Sequence, residues 1–257
     1  VQSLGECQRE GRIWNLLKKL DLLDQIRFIP LEPAREYHFP DRKVIQSSEL
    51  ETHMENLFSL FPNERKGIEQ VYTILRKVFE EFSQIPSSLN VYEPSSFSSQ
   101  FPLLSQYRDK TYGELLHGWV SHPSLKALLS IRSSYALLPP EEISVVGMAG
   151  IEMTYFNYGV SCIEGRVEEL PLKLGETLQK MNGQILIGEE VDEILLEGKK
   201  AIGVKLKSGR EMRGKVILSN IDAHTTFFYL IGQDRIPSGF HSKLKGMRPS
   251  LSYFILY

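Results

Sequence analysis

With 257 residues, 42% of them hydrophobic and 24% charged, the chain has enough apolar material for one large core or two smaller ones. A net charge of −2 excludes the basic excess of a nucleic-acid-binding surface. Two separated cysteines, Cys7 and Cys162, exclude a disulfide framework and fit a reducing, cytoplasmic setting. Neither a membrane-spanning helix, which needs an apolar run of about 20 residues, nor a signal peptide is expected, since Val1 to Arg9 carries charge.

From the N-terminus, Arg12 to Leu20 has helical periodicity, with Ile13, Leu16, Leu17 and Leu20 on one face. Gln25 to Ile29 reads as a strand closed by Pro30. Glu36 to Phe39 reads as a second strand, followed by a turn at Pro40-Asp41 and a return over Val44 to Gln46. Leu50 to Leu60 and Glu64 to Phe82 are helical, and Phe61-Pro62-Asn63 between them breaks the first and offers a cap to the second. Pro86 to Phe101, rich in Ser and Pro, reads as a loop. Thr111 and Glu114 have capping-box spacing and open a helix through Val120. His122-Pro123 interrupts it, and Ser124 to Leu138 forms another helix that Pro139-Pro140 ends. The helical part is therefore expected over residues 50–150.

After Ile151 the pattern changes. Arg166 to Met181 is helical, with Leu170, Leu174 and Leu178 at every fourth position and Asn182-Gly183 as its stop. Gln184 to Ile187, Val191 to Leu196, Ala201 to Lys207 and Met212 to Leu218 then read as the strands of a β-meander. Ser219-Asn220-Ile221-Asp222 caps a last helix through Leu230. The chain starts at Val1 and stops inside a strand-forming run, Leu251 to Tyr257, with no turn or polar cap. The expectation is an internal piece of a longer protein.

The residues that carry chemistry are sparse. No two glycines are separated by one residue, so a G-x-G-x-x-G fingerprint is absent, as is a Walker A sequence. A dinucleotide pyrophosphate thus has no recognisable helix N-terminus here. His117 and His122 stand five apart across a helix break, poor spacing for metal ligands, and no metal site is expected. The adjacent pairs Glu141-Glu142, Glu168-Glu169 and Glu189-Glu190 point their side chains apart and read as solvated faces rather than acid–base pairs. Ser161, Cys162 and His224 lack a nucleophile-elbow context, which argues against a hydrolase. Tyr155-Phe156-Asn157-Tyr158 and Phe227-Phe228-Tyr229 read as core packing or as the lining for a long apolar ligand.

One ordered series of motifs is more specific. It runs Tyr158-Gly159 to Glu164-Gly165-Arg166, Gly183 to Gly188, Val191-Asp192-Glu193-Ile194, Gly203 to Gly209, and Val216 to Ser219-Asn220. Upstream stand Leu20-Asp21-Leu22-Leu23-Asp24, Phe39-Pro40-Asp41 and Leu60-Phe61-Pro62-Asn63-Glu64. In this series the chain resembles the phytoene desaturase, carotenoid isomerase and retinol saturase group of FAD-dependent oxidoreductases, within the amine-oxidase-like superfamily. Nearly the whole chain takes part, in order. Where that group carries a glycine pair, this chain has Gly165 followed by Arg166, which puts the contact there in doubt.

The resemblance implies an α+β fold: part of an FAD-linked oxidoreductase without its N-terminal Rossmann βαβ unit. Residues 1–155 would belong to a largely helical substrate domain, 156–225 to the FAD domain as a helix plus β-meander, and 226–257 to a return into the substrate domain. It implies FAD as cofactor, with Gly165, Arg166, Val191, Ser219 and Asn220 at the cofactor, while Tyr155 and Tyr158 of the aromatic cluster are the candidates for the substrate side. No side chain is implied as catalytic, because the flavin carries the chemistry. The substrate would be a hydrophobic polyene, desaturated, saturated or isomerised, with peripheral membrane contact through Leu115 to Trp119 and Leu125 to Leu138. This chain by itself is expected to be inactive. Two alternatives remain: a non-catalytic prenyl- or lipid-binding protein of the Rab escort and GDP-dissociation-inhibitor kind, and a flavin amine oxidase.

Overall fold

The computed structural model describes residues 4–40, 42–86, 94–248 and 252. Asp41, the middle of the expected 86–101 loop, and the terminal run apart from Ser252 lie outside the described residues. The fold is α+β, and the chain divides into two compact units, Val1–Thr177 with Ser250–Tyr257, and Leu178–Pro249.

In the first unit, β1 (Leu4–Gly5), α1 (Arg12–Lys19) and β2 (Phe28–Pro30) lead into the hairpin β3 (Arg35–His38) and β4 (Lys43–Gln46). Then come α2 (Leu50–Leu60), α3 (Arg65–Ser83), α4 (Pro94–Gln100), α5 (Pro102–Tyr107), α6 (Tyr112–Trp119) and α7 (Pro123–Ser130). A 3-10 segment, Ile131–Ala136, precedes α8 (Val145–Tyr158), and β5 (Val160–Ile163) and α9 (Glu169–Lys180) follow it. β5 is the middle strand of an antiparallel sheet ordered β1-β5-β2, with Leu4 opposite Ser161 and Phe28 opposite Ile163. Leu17, Leu22, Ile26 and Ile163 form a small core against it, covered by Leu170 and Leu174 of α9.

The main core is helical. Helix α3 buries Ile68, Val71, Tyr72, Leu75 and Val78, the broad stripe that 3.6-residue periodicity allows. Each such aliphatic side chain contributes about 1.5–3 kcal/mol on burial. Around α3 pack Leu57 of α2, Leu104 of α5, Leu115 and Leu116 of α6, and Leu125, Leu128 and Leu129 of α7. Helix α8 is different: it is apolar on every side, and Val145, Met148, Ala149, Glu152 and Met153 are all buried.

Carboxylates tie the helix ends. The capping box of α6 is present: Thr111 Oγ1 accepts the Glu114 N–H at 3.2 Å, and the Glu114 carboxylate accepts the Thr111 N–H at 2.8 Å. Asn63 does not cap α3 with its side chain. Glu64 instead reaches across to accept the N–H groups of Ser121 (3.0 Å) and His122 (2.6 Å), just ahead of α7. Glu81 likewise accepts the Leu103 and Leu104 N–H groups at the start of α5.

Several expected elements take another form. Leu16 is exposed, because α1 meets its small core through Ile13, Leu17 and Leu20 alone. Residues 23–25 form a 3-10 turn, and the strand begins at Phe28. The expected 86–101 loop contains α4 over Pro94–Gln100. The single helix expected over 124–138 is α7 followed by the 3-10 segment, and it stops at Leu137, which adopts φ +56° ahead of the prolines. Helix α8 and strand β5 are the elements that periodicity did not separate.

The second unit holds the antiparallel sheet β6 (Val191–Glu197), β7 (Lys200–Leu206) and β8 (Glu211–Arg213), a π-helical segment Thr225–Gly232, and α10 (Ser238–Lys245). The expected strand over 184–187 is absent from the described ladders, and the one over 212–218 shrinks to Glu211–Arg213. Ile187, Val216 and Leu218 are 92%, 82% and 91% exposed. Among the described residues no helix is long and apolar enough to cross a membrane.

Gly67 marks the closest helix approach, since a Cβ there would collide with the Trp119 carbonyl oxygen, whereas one at Gly118 meets nothing within 4 Å. Gly67→Ala is therefore expected to lower stability by about 1–3 kcal/mol through overpacking. Gly118→Ala is expected to raise it by about 0.5–1 kcal/mol. Urea unfolding of both variants beside the parent checks the opposite signs.

Candidate functional site

The first unit contains an open groove of about 750 Å³, within the usual range for ligand sites. Tyr155 and Tyr158, the residues singled out for an apolar substrate, both line it. Both come from the last turn of α8, where i, i+3 spacing puts them on one face. Phe79 and Phe82 of α3, Val146 and Ile151 of α8, and Tyr135 of the 3-10 segment complete an apolar and aromatic wall. The charged residues on the groove are Glu6 and Arg12. They are paired with each other at 2.5 and 2.7 Å through two guanidinium nitrogens, so the groove gains little net charge. Neighbouring Cys7 is buried, and burial with the Glu6 carboxylate pushes its thiol up to about 12, which leaves it unreactive.

Beneath the wall lies a set of polar groups that sequence reasoning missed. Arg132 and Glu152, 2% and 5% exposed, form an ion pair at 2.9 Å. The Arg132 guanidinium carbon also lies 4.6 Å from the centroid of the Tyr155 ring and 5.3 Å from that of Phe156. Burial raises the Glu152 carboxyl above its usual range despite the opposing pull of Arg132 and Arg35. His53 Nε2 lies 3.0 Å from the Tyr72 hydroxyl, and the His53 ring stacks on Phe156 at 5.6 Å. Two buried atoms of this set, His53 Nδ1 and Arg132 Nε, have no hydrogen-bond partner. The available signal was Glu152 itself, the one charged residue in a helix otherwise uniformly apolar or neutral.

The residues singled out for a cofactor divide between the units. Val191, Ser219 and Asn220 border one cleft of about 420 Å³ in the second unit. Its floor is Ile194, Val204, Ile217 and Leu230, and Glu189 and Glu190 stand on its rim. Among the described residues β6 is an edge strand, with a sheet partner on one side of its backbone, and Val191 begins it. Ser219 exchanges a hydrogen bond with Thr226 at 2.7 Å. Capping of the π-helical segment falls to Asp222, which accepts the His224 and Thr225 N–H groups and the Thr225 hydroxyl proton. These bonds, led by the Thr225 hydroxyl, hold the Asp222 carboxyl below its ordinary range. Such a lining suits a flat ring on an apolar floor with hydroxyls toward the carboxylates, and the cation at its rim, Lys207, is already paired with Glu190 at 2.6 Å. Gly165 and Arg166 lie in the first unit, after β5. Gly165 has φ +85° and nothing within 4 Å of a Cβ position, while exposed Arg166 faces Glu168 at 3.7 Å. In the segments expected to touch a membrane, Leu115, Leu116, Leu125, Leu128 and Leu129 are buried in the helical core, while Trp119 and Tyr135 are exposed.

No protein-family model matches the chain. Over 242 residues it is 25% identical to prolycopene isomerase 1 from an Oncidium hybrid cultivar, covering 89% of this chain and 40% of that protein. It is 23% identical to a 4,4'-diapophytoene desaturase from a Methylomonas species, covering 91% of this chain and 46% of the relative. The chain thus spans less than half the length of these curated relatives, and it is similar to the carotenoid desaturase and isomerase group over most of its own. Among solved structures, an oxidoreductase from Methanosarcina mazei superposes with a TM-score of 0.63 at 16% identity, over 96% of this chain and 53% of that one. That likeness concerns the fold.

Burial pushes His53 down to about 3, with the nearby Arg132 charge adding to the effect. The folded chain therefore refuses a proton that the unfolded chain takes up below about pH 6.5. Because the folded value is the lower one, the stabilisation is present above pH 6.5 and is lost as pH falls toward 3. The slope for one proton is about 1.4 kcal/mol per pH unit. Glu152, shifted upward, stabilises most at low pH and works in the opposite direction. His53→Gln leaves Glu152 in place, so the difference between variant and parent isolates the imidazole. Urea unfolding at pH 7, 5.5 and 4.5 is expected to show the variant losing less stability than the parent as pH falls.

Proposed function

We propose that this chain is part of an FAD-dependent oxidoreductase that desaturates, saturates or isomerises a hydrophobic polyene of the carotenoid or retinoid kind. The observation that carries the reading is the aromatic groove, with Tyr155, Tyr158 and Tyr135 on one continuous apolar wall and its single charged pair internally matched. A long hydrocarbon gains from such a surface through apolar burial and ring contact, and it has no polar group for the groove to satisfy. Similarity to proteins named for carotenoid isomerisation and desaturation supports the same substrate class.

On this reading residues 1–155 build the substrate side, 156–225 the FAD side, and 226–257 return to the substrate side. Val191, Ser219 and Asn220 would hold the adenosine part of FAD: the edge backbone of β6 meets the flat base and the rim carboxylates accept ribose hydroxyls. When bound, the flavin supplies the hydride-accepting or hydride-donating chemistry. The chain's own residues bind and orient. Phe79, Phe82 and Ile151 exclude water from the hydrocarbon, and Tyr155 and Tyr158 fix its course along the groove.

Purified as the cell makes it, the protein is expected to show flavin absorbance that dithionite bleaches. Ile217→Glu, which places a charge on the apolar floor of the cleft, is expected to reduce the retained flavin without loss of helix content by circular dichroism. Tyr155→Ala is expected to weaken polyene binding by about tenfold, the equivalent of one aromatic contact. A well-folded, colourless protein that takes up neither FAD nor polyene overturns the reading.

A further inference from the structure

The wall of the groove is built from two matched pairs of residues. Arg132 and Tyr135 are three apart on the 3-10 segment, and Glu152 and Tyr155 are three apart on α8. The charged members meet at 2.9 Å in the core, and the aromatic members stack at the groove with centroids 5.6 Å apart and planes 13° apart. Arg35 of β3 lies against the same stack, 4.9 Å from the Tyr135 centroid and 5.9 Å from that of Tyr155. One ion pair therefore sets the register in which the two rings come parallel.

The pair is a poor device for stability alone. Arg132 uses one guanidinium nitrogen on Glu152, its Nε has no partner, and both groups have lost their water. A buried ion pair with incomplete hydrogen bonding commonly costs as much in desolvation as it returns, and an apolar replacement of similar volume folds as well or better. What an apolar replacement does not supply is direction: methyl and methylene surfaces slide, whereas a guanidinium–carboxylate contact admits one geometry.

We propose that Arg132 and Glu152 are positioning residues that hold Tyr135 and Tyr155 parallel, and that this stacked wall selects flat, conjugated hydrocarbons over saturated chains of the same length. The proposal rests on the groove being the substrate site and adds what discriminates at it. Stacking spends one face of each ring on the other, so the pair meets a ligand with its edges and remaining faces held in one orientation; a planar conjugated chain fits such a surface along its length and has few rotors to freeze. A saturated isoprenoid presents a rough profile and loses rotational freedom at nearly every bond. Rings fixed parallel amplify that difference, and rings free to tilt erase it.

The test measures all-trans-lycopene and its fully hydrogenated analogue lycopersane in detergent micelles with the full chain. Lycopene binding is followed by induced circular dichroism and lycopersane by competition. The parent protein is expected to prefer lycopene by about tenfold. The double variant Arg132→Met, Glu152→Leu is expected to keep its thermal stability and its affinity for lycopersane, yet to lose the preference and the induced signal. Glu152→Gln, which retains an oxygen acceptor for Arg132, is expected to keep most of both. A double variant that still prefers lycopene about tenfold overturns the positioning role. A parent that binds both hydrocarbons equally overturns the selectivity, and a parent that binds neither overturns the substrate-site reading beneath it.

Discussion

Helix α8 is apolar around its circumference, burying one face in the helical core and turning the other to the open groove, and most of the first unit follows from that. Val145, Met148, Ala149 and Met153 share the buried face and need apolar neighbours there, which the long stripe of α3 and the helices packed on it provide. Its N-terminus is fixed by its own cap, with Ser144 Oγ accepting the Gly147 N–H at 3.0 Å, and by a β-bridge from Ser144 to Thr111, which caps α6. Its C-terminus is fixed by Gly159, whose φ of +64° turns the chain directly into β5. A helix held at both ends and gripped along its length gives its last turn a defined rotation. That rotation brings Tyr155 and Tyr158 to the groove.

Within this apolar setting Glu152 is the costly residue. A carboxylate buried alone would cost several kcal/mol, and Arg132 offsets that by arriving from a segment that must bend to deliver it. The 3-10 run after α7 and the left-handed Leu137 that ends it place Arg132 inward and Tyr135 outward. Three tyrosines deepen the polar set. Tyr37 donates to Gln46 Oε1 at 2.6 Å, Tyr112 donates to the Leu129 carbonyl at 3.3 Å, and Tyr72 meets His53. Burial drives the Tyr72 and Tyr112 hydroxyls well above the ordinary phenol range, so they keep their protons rather than titrate. The interior of the helical unit is thus two materials, an aliphatic majority that supplies cohesion and a polar minority that supplies register.

The division between what the sequence revealed and what it hid follows the same physics. Amphipathic elements were legible: α2, α3 and α6 lie close to where periodicity and capping put them, because half of each faces solvent and the pattern records it. α8 and the centre strand β5 were not, since α8 is apolar on its groove side as well as its buried side and β5 is almost wholly buried, so neither carries an alternation to read. The strands expected at Gln184 to Ile187 and beyond Arg213 fail for the opposite reason. β-propensity is a preference for a pleated, half-buried surface, and within the second unit Ile187, Val216 and Leu218 have no such surface to join among the described residues. For the candidate sites, the aromatic cluster singled out Tyr155 and Tyr158, which share the groove, and family likeness singled out Val191, Ser219 and Asn220, which share the cleft, together with Gly165 and Arg166, which line neither. The partners Tyr135, Arg132 and Glu152 needed three dimensions, because they are brought together by a bend with no sequence signature of its own.

The two concave sites also differ in the chemistry open to them. In the groove, the Glu6 carboxylate is taken up by Arg12, and burial has silenced the Cys7 thiol. A surface so poor in free acids, bases and nucleophiles can hold and shape a ligand, but it has little with which to move a proton. The cleft of the second unit is more polar, with Glu189, Glu190, a serine and an asparagine around an apolar floor and Glu190 paired with Lys207 at 2.6 Å. On the proposed reading the groove's part is to hold and shape an inert hydrocarbon, and its selectivity would be decided where the Tyr135 and Tyr155 rings are held parallel.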